Sequence, residues 1–313
     1  IISDALDMGA IANNFDNTYA VIEVFKAGID IALVPIDLKS PQDKLKLETL
    51  FEGLENAVKT GDLNQENIDN SVRKILALKK KMKILDPANY AQSPAQKIAQ
   101  AQKFYNDPKI FIAQREMAQK AVTLIKNNGK ILPIKTDLPP KILILSPNAK
   151  ANDALKLAVN QLVGEGVINK KTFFDILDYS LLQNLKPLNW QALFKDYDYI
   201  IAVSDISNFS NVKNLWQVKT IRNIIEAANS NNKKLVLISA GLTYDTAYYT
   251  KAPAILACFG MQPSMPNIQA SMDIIFGLQK PMGKLPIDIP QADPNTLLFK
   301  NKILYKIKHG LSF

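Results

Sequence analysis

The sequence IDIALVP, residues 29–35, decides the fold class of this chain. The stretch is rich in apolar and β-branched residues and is closed by Pro35, which is typical of a strand buried in a parallel sheet. Upstream, Ile1-Ile2-Ser3 ends another apolar strand, and the segment between the two predicts a helix over 18–26 that stops at Gly28. Strand, helix and strand in this order predict a parallel βαβ arrangement.

The same alternation continues downstream. Helices are predicted over 43–59 and from residue 64 or 65 to 83, and residues 86–107, with their prolines and repeated Ala-Gln, predict an exposed, partly helical connector. A helix over 109–125 then opens a second series. Its strands are predicted at 141–145, 199–203, 235–239 and 255–259, and its helices at 212–228 and 265–277. This series predicts a parallel sheet covered by helices on both faces.

Length and composition fit a soluble globular protein of about two domains. The 313 residues are 47% hydrophobic and 21% charged, which excludes disordered, collagenous and disulfide-scaffold classes. The single cysteine, Cys258, lies in an apolar run and predicts a small buried hydrophobe. One His and one Cys cannot supply a structural zinc site. No dinucleotide or phosphate-loop fingerprint occurs, so no cofactor is implied, and no apolar stretch reaches the ~18 residues of a membrane span.

The formal net charge of +9 raises the question of an anionic partner. Aromatic residues do not interleave with the lysines as stacking on bases requires, so we expect no nucleic-acid partner. The helix over 65–83 ends in a basic cluster at Lys79, Lys80, Lys81 and Lys83. This cluster is either a solvated helix face, which we favour, or a site for an acidic partner. The apolar residues expected on one face of the helix are Ile68, Val72, Ile75, Leu76 and Met82.

The opening segment supplies only two βα units, and the first strand has already begun at Ile1. Two parallel strands have unpaired edges and cannot bury both faces. We therefore expect that this segment needs more sheet than the chain contains, and that the chain is a truncated part of a larger protein.

Two carboxylates, Asp4 and Asp7, lie at the exit of the first strand in ISDALDMGAIA. In α/β folds, and above all in (β/α)8 barrels, the carboxyl ends of strands present residues to substrate. A carboxylate there can attack the anomeric carbon of a sugar or stabilise an oxocarbenium-like transition state. An Asp directly after a strand is also a common helix N-cap, so position alone leaves both roles open.

The wider sequence resembles that of family 3 glycoside hydrolases, especially their β-N-acetylhexosaminidase branch. The segment IISDALDMGAIA is similar to the nucleophile segment of that branch, in which an Asp follows Ser or Thr. Further similar segments follow in the family's order: KAGIDIALVPIDL, IDNSVRKILALKKKMKIL, REMAQKAVTLIKNNGKILPI, GKLPIDIP and the terminal HGLSF. The resemblance runs from Ile1 to Phe313 and is weakest between about residues 150 and 211.

The resemblance implies a fold and a set of domains. Residues 1–85 would be the C-terminal part of a TIM barrel, its last two βα units, and residues 86–107 a linker. Residues 108–313 would be the family's α/β/α sandwich domain with a mostly parallel sheet.

The resemblance also implies a retaining exo-glycosidase for terminal β-linked N-acetylglucosamine, with Asp4 as nucleophile. Asp7 matches a variable position of the motif and is read mainly as a helix-start carboxylate, with substrate contact as the alternative. Met8 matches a position near the sugar pocket, where packing is an equal alternative. The substrate would be an N-acetylglucosamine-containing glycan or a muropeptide of peptidoglycan.

The general acid is not evident in this sequence. In the hexosaminidase branch a His–Asp pair on an earlier barrel loop has this role, and that loop would lie upstream of Ile1. The single histidine, His309, falls in HGLSF, for which we expect a structural role. The β-glucosidase branch uses a Glu from the second domain. The matching stretch VSDISNFSNVKNLWQVKTI has no Glu and retains only Gln217 of that pattern, with Asp205 as its single carboxylate.

We therefore expect that this chain lacks its acid/base and is inactive without the remainder of the barrel. Two alternatives remain: a non-catalytic carbohydrate-binding or interaction module, and a family 3 β-glucosidase or phosphorylase. Two-domain members of the branch are often exported, which favours a periplasmic or extracellular location, although the sequence does not decide it. Since the chain begins at Ile1, the lack of a targeting signal carries no information.

Overall fold

The computed structural model of the 313-residue chain describes residues 1–90, 92–182, 188–207, 215–260 and 266–313. The chain divides into two units, Ile1–Phe104 and Tyr105–Phe313. Each unit is described by itself below as unit 1 and unit 2.

Unit 1 is built on two short parallel strands, β1 (Ile2–Ala5) and β2 (Ile31–Leu33), in which Ile2 lies opposite Ile31 and Ala5 opposite Leu33. Five helices accompany these strands. They are α1 (Gly9–Ala12), α2 (Asn17–Lys26), α3 (Lys44–Lys59), α4 (Gln65–Lys81) and α5 (Pro94–Tyr105), whose last residue enters unit 2. Glycines at positive φ follow α2 and α3, at Gly28 and Gly61, because a left-handed residue ends a helix at little cost there.

The core of unit 1 is small. Its main cluster is centred on four residues: Leu6, Val21, Ile36 and Leu50. The prediction that β2 is fully buried was wrong, because Ile31 and Ala32 are half-buried and Leu33 is 42% exposed. The predicted apolar face of α4 is present in sequence, but the helix has no buried residue. Two strands provide too few neighbours to cover these faces, and the TIM barrel stays a prediction.

Unit 2 contains a longer series of elements. It begins with α6 (Pro108–Ala121), β3 (Thr123–Asn127), β4 (Lys141–Ser146), α7 (Ala149–Gly164), β5 (Phe173–Asp178) and α8 (Trp190–Phe194). It continues with β6 (Tyr199–Ser204), α9 (Trp216–Ser230), β7 (Lys234–Ser239), β8 (Ala254–Ala257), α10 (Pro266–Ile275), β9 (Ile289–Ala292) and β10 (Phe299–Tyr305).

Six of these strands form one sheet in the order β3-β8-β7-β6-β4-β5, parallel throughout except for β3 against β8. One face packs on α6, α7 and α10, and the other on α8 and α9. The predicted α/β class with a mostly parallel sheet is confirmed. The chain moves from β4 to one neighbour, β5, and then to the other neighbour, β6. The carboxyl ends of β4 and β6 therefore flank a topological switch point, where open α/β sheets usually bind ligands.

Several local predictions were wrong. The helix expected over 109–125 ends at Ala121, and after the β-branched Val122 the strand β3 begins at Thr123. By contrast, the prediction of an exposed, partly helical connector at 86–107 is confirmed, since α5 occupies twelve of its residues and has no buried residue. The strands β5, β9 and β10 were not predicted. The first residues of the helices expected at 212–228 and 265–277 lie outside the described residues.

Candidate active site

Asp4 lies in β1, one residue before the carboxyl end of the strand, and its side chain is exposed. Its Oδ1 accepts the backbone N–H of Ala5 at 2.8 Å. Within the described part of the chain, no donor bonds the other carboxylate oxygen. Asp4 is thus held through one oxygen, and its second oxygen is available to a ligand.

The neighbouring Ser3 ties the two strands together beside this carboxylate. Its hydroxyl accepts the backbone N–H of Leu33 at 2.9 Å and donates to the carbonyl oxygen of Asp4 at 2.7 Å. The backbone N–H of Leu6 donates back to the carbonyl of Leu33 at 3.0 Å. The carboxyl ends of β1 and β2 are therefore locked in register at the position of Asp4. Sequence reasoning missed this role of Ser3, because it depends on the pairing of residues thirty positions apart.

Directly after β2, Val34 has a backbone φ of 45°. Positive φ is rare for a β-branched residue, and such backbone strain concentrates at functional sites. The strained residue directly follows the carboxyl end of β2, and because β1 and β2 are parallel, Asp4 lies at the same end of this pair. No signal in the sequence predicts this conformation, because valine disfavours it.

Asp7 and Met8 are both exposed in the segment between β1 and α1, Met8 at 46%. Met8 is the N-cap of α1, and its carbonyl accepts the N–H groups of Ile11 and Ala12 at 2.8 and 3.0 Å. Lys39, which forms an ion pair with Asp37, lies close to Asp7. The pKa of Lys39 is raised, chiefly by Asp37 and to a smaller degree by Asp7. The attraction between Asp7 and Lys39 is thus a minor one beside the Lys39–Asp37 ion pair.

At the opposite end of β2, the buried Asp30 connects the strands to α4. Its carboxylate accepts hydrogen bonds from the Lys74 ammonium at 2.8 Å and the Ser71 hydroxyl at 2.9 Å. The Lys74 contact, with that of Ser71, holds the pKa of Asp30 well below its usual range. This carboxylate is fully engaged, in contrast to Asp4.

Unit 2 has its own polar cluster at the carboxyl ends of β6 and β7. The fully buried Asp245 accepts hydrogen bonds from Ser204 at 2.7 Å and from Ser239 at 2.5 Å. The Ser204 hydroxyl is also 3.1 Å from the hydroxyl of Tyr249. Burial raises the pKa of Asp245 to about 7. The cluster joins the ends of two strands to the 3-10 turn Thr243–Tyr248, and sequence reasoning missed it.

Asp205 follows β6 next to this cluster, at the topological switch point. It is half-buried, and burial raises its pKa. Gln217, at the start of α9, is half-buried as well. Most of the loop between them, residues 208–214, lies outside the described residues.

His309 is placed in unit 2. Its Nε2 is 2.8 Å from the carbonyl oxygen of Ile125, and its ring stacks on Tyr305 with centroids 5.1 Å apart. These contacts fit the structural role expected for HGLSF. Cys258 is fully buried, as predicted.

Metal-binding groups and membrane-spanning helices were also sought in the described residues. Among these residues, no group of three or more His, Cys, Asp or Glu side chains is arranged to hold a metal ion. No described helix combines the length and apolar character needed to cross a bilayer.

Two family models match the chain. The glycosyl hydrolase family 3 N-terminal domain matches residues 1–78, and the family 3 C-terminal domain matches residues 122–313. Beta-hexosaminidase A of Pseudoalteromonas piscicida is 28% identical over 313 residues, covering 92% of this chain and 49% of the relative. A beta-N-acetylglucosaminidase/beta-glucosidase of Cellulomonas fimi is 28% identical over 145 residues, covering 46% of this chain and 23% of that protein.

A similar fold occurs in the glycoside hydrolase family 3 beta-N-acetylglucosaminidase from Paenibacillus sp. str. FPU-7, with a TM-score of 0.63 at 18% identity. The match covers 90% of this chain and 49% of that structure. The chain thus spans half or less of the length of these relatives. Because the C-terminal-domain model alone matches more than half of its residues, the chain belongs to glycosyl hydrolase family 3.

Proposed function

We propose that Asp4 is the nucleophile of a retaining exo-glycosidase that releases terminal β-linked N-acetylglucosamine. The observation that carries this proposal is the state of Asp4: an exposed carboxylate at the carboxyl end of a parallel strand, held through one oxygen. The name of the relative from Pseudoalteromonas piscicida, a beta-hexosaminidase, supports the choice of sugar. Family membership supports the glycosidase class.

In the proposed reaction, a carboxylate oxygen of Asp4 forms a bond to the anomeric carbon while the bond to the leaving oxygen breaks. An acid donates a proton to that leaving oxygen. Water then attacks the glycosyl-enzyme, its proton passes to the same acid/base group, and Asp4 is released as a carboxylate. The Ala5 N–H fixes the carboxylate without protonating it, and the Ser3–Leu33 bond fixes its strand. Because the carboxylate and its strand are already oriented before substrate binds, less entropy is lost on the way to the transition state, and the activation barrier is lower.

The acid/base group is proposed to lie outside residues 1–313, together with the rest of a TIM barrel to which residues 1–85 contribute the last two βα units. Residues 86–107 would link that barrel to the sandwich domain at 108–313. Three observations support this arrangement. The chain covers 49% of the hexosaminidase relative, the outer faces of β2 and α4 lack partners in unit 1, and His309 is engaged in unit 2.

The substrate is proposed to be an N-acetylglucosamine-containing glycan or muropeptide. Met8 and Asp7 would contact the sugar from the segment that follows β1. Their exposure and their position next to Asp4 in the chain support this assignment.

The test is hydrolysis of 4-nitrophenyl N-acetyl-β-glucosaminide by the longer protein that contains the remaining barrel, and by residues 1–313 alone. In the longer protein, we expect Asp4→Asn to lower kcat by roughly 10³-fold or more, because the nucleophile is lost. The matched control Glu55→Gln, which removes an exposed carboxylate of α3 outside the proposed site, should retain most of kcat. An active Asp4→Asn variant would contradict the proposal.

Residues 1–313 alone should show no turnover, because the acid and most of the barrel are missing. If residues 1–313 alone turned over the substrate strongly, the proposal that the acid lies outside this chain would be wrong. If Asp4→Asn then abolished that turnover, the assignment of Asp4 as nucleophile would be supported.

A second candidate is a family 3 β-glucosidase or phosphorylase that takes its acid from unit 2. It is favoured by the position of Asp205, a half-buried carboxyl at the switch point whose pKa is raised by burial. The measurement that separates the candidates is the rate of the longer protein on 4-nitrophenyl β-glucoside, with and without phosphate. A preference for the glucoside together with loss of activity in Asp205→Asn would favour this second function.

A further inference from the structure

A cavity in unit 2 lies between α9, the 3-10 turn Thr243–Tyr248 and the loop that follows β9. It encloses about 480 Å³ of space that no protein atom fills, part of it open to solvent. This volume is within the range of roughly 300–1,000 Å³ that is usual for small-molecule sites. Much of the lining is apolar or aromatic: Ile225, Ala247, Tyr248, Tyr249, Ala292 and Leu297.

One charged side chain of the lining, Arg222 of α9, has no acidic partner. It is half-buried, and its Nη1 donates to the carbonyl oxygen of Pro294 at 2.9 Å. Over the ranges that the structure describes, no carboxylate forms an ion pair with this guanidinium. Since a guanidinium has five N–H donors, Arg222 keeps donors for a ligand.

Glu226, the acid nearest to Arg222 along α9, pairs with a different cation. It follows Arg222 by four residues, a spacing at which opposite charges on a helix commonly attract each other. Its carboxylate instead forms an ion pair with Lys251 at 3.2 Å. Lys251 also lines the cavity, and it is thus neutralised where Arg222 is not.

The loop after β9 supplies the other acid of the lining and holds it away from Arg222. The Asp293 carboxylate pairs with Lys300 at 3.0 Å and accepts the backbone N–H of Thr296 at 3.0 Å. Leu297 has a backbone φ of 58°, and its N–H donates to the carbonyl of Asp293 at 2.9 Å. Positive φ is uncommon for leucine, and such strain concentrates at functional sites. In the described structure, Arg222 is therefore the cation of this lining without a counter-charge.

The aromatic rings of the lining are poorly placed to bind a sugar. The ring of Tyr248 is 7% exposed and stacks on Phe299 with centroids 5.6 Å apart. Tyr249 is 1% exposed, and its hydroxyl is 3.1 Å from that of Ser204. Neither ring offers the broad exposed face on which a sugar ring stacks. The lining therefore favours a ligand with an apolar body.

We propose that this cavity binds a small organic acid, with its carboxylate on the guanidinium of Arg222 and an apolar body against the aliphatic lining. A guanidinium and a carboxylate match in geometry and can form two parallel hydrogen bonds. The acid supplies the counter-charge for Arg222, and burial of its apolar body removes apolar surface from water. This site does not depend on the role of Asp4.

The test is isothermal titration calorimetry of the 313-residue chain with phenylacetate and with its neutral amide, phenylacetamide. We expect the acid to bind about tenfold or more tightly than the amide, because the amide cannot form the charged pair. Arg222→Gln should weaken binding of the acid by a similar factor and remove the preference for it. The matched control is Lys156→Gln, an exposed lysine of α7 outside the lining. It changes the net charge equally and should bind phenylacetate like the parent chain.

Thr250→Trp tests the cavity without a change of charge. Thr250 is an exposed residue of the lining, so an indole at this position should block the cavity and abolish binding of phenylacetate. Binding that survives this substitution would place the acid elsewhere and overturn the proposal. Circular dichroism checks that each variant is folded.

Three further results would overturn the proposal: no binding of phenylacetate at millimolar concentration, equal affinities for the acid and the amide, or equal loss in Arg222→Gln and Lys156→Gln. The last would show attraction by net charge alone. Glucuronate carries the same charge on a hydroxylated ring and should bind more weakly than phenylacetate. Tighter binding of glucuronate would overturn the assignment of an apolar ligand.

Discussion

The hydroxyl of Ser3 accepts the backbone N–H of Leu33 at 2.9 Å and joins the two strands of unit 1 immediately beside Asp4. The same hydroxyl donates to the carbonyl oxygen of Asp4 at 2.7 Å. A small polar side chain therefore sets both the pairing of β1 with β2 and the backbone position of the proposed nucleophile. Alanine cannot supply either bond, whereas threonine retains the hydroxyl.

Ser3→Ala should increase the hydrogen-exchange rate of the Leu33 amide about fivefold. The expected loss is one hydrogen bond, worth about 1 kcal/mol, and tenfold corresponds to about 1.4 kcal/mol. Ser3→Thr is the matched control and should exchange like the parent chain. The backbone bond from Leu6 to Leu33 remains in both variants, so unchanged exchange at Leu6 would show that the effect is local. Identical Leu33 exchange in parent and alanine variants would contradict this role.

Asp30→Asn should destabilise unit 1 near neutral pH, because Lys74 and Ser71 lose a charged acceptor. The contact with Lys74 lowers the pKa of Asp30 in the folded state, so its stabilisation is present above the ordinary Asp value of 3.8 and is lost as pH falls through the folded-state pKa. The difference in stability of unit 1 between the parent chain and Asp30→Asn should therefore become smaller at acidic pH.

Hydrogen exchange of the amides in α2 and β2, followed against pH, measures this effect. Glu55→Gln is a suitable control, because Glu55 pairs with Lys59 at 3.7 Å on the exposed side of α3 and should have little influence at any pH. A difference in exchange rate between the parent chain and Asp30→Asn that increases at acidic pH would contradict this role of Asp30.

The sequence was sufficient to predict the parts of the fold that depend on local patterns. The aliphatic residues of the runs that became β4, β6, β7 and β8 are buried, and the position of Asp4 at a strand exit follows from the same kind of pattern. The strand β5 was missed because FFDILD mixes two acidic residues into its apolar run. The hairpin of β9 and β10 was missed because it has little burial to impose a pattern.

The contacts that complete the two sites depend on long-range pairing, which a single sequence does not encode in any local signal. Ser3 meets Leu33 only after β1 and β2 have paired in register. Asp245 is flanked by tyrosine and threonine in an unremarkable turn, and it is buried only because the ends of β6 and β7 converge on it. Val34 adopts a backbone conformation that its residue type disfavours.

Gly241→Ala should destabilise unit 2 by roughly 1–3 kcal/mol, the usual cost of overpacking. A Cβ at this position would lie 2.3 Å from the carbonyl oxygen of Ile206, in a backbone that cannot move aside easily because Leu242 donates to that oxygen at 2.8 Å. Gly164→Ala, in the last turn of α7 with open space around it, should instead stabilise by about 0.5–1 kcal/mol. Urea unfolding followed by near-ultraviolet circular dichroism measures both, and effects of the same sign would contradict the prediction.

The stability of unit 2 should fall as pH rises from the ordinary Asp value of 3.8 to about 7, because of Asp245. Burial raises the pKa of this carboxyl to about 7, so the folded chain keeps a proton that the unfolded chain releases. The free energy of unfolding therefore decreases by up to about 1.4 kcal/mol per pH unit in this range, and levels off above it. Denaturant unfolding at several pH values across the range measures the slope.

Asp245→Asn should flatten this dependence, because the amide does not titrate while it can still accept a hydrogen bond from Ser204 or Ser239. Among the described residues, the other ionisable groups that interact with Asp245 are Asp205, Tyr179, Tyr248, Tyr249 and Cys258, and burial raises the pKa of each. Only Asp205 among these has an ordinary pKa inside the acidic range. Asp205→Asn is therefore the control. It should remove a smaller part of the pH dependence of the unfolding free energy, because Asp205 is only half-buried and its pKa is raised less strongly than that of Asp245. A slope that survives Asp245→Asn and disappears in Asp205→Asn would reassign the titration to the residue at the switch point.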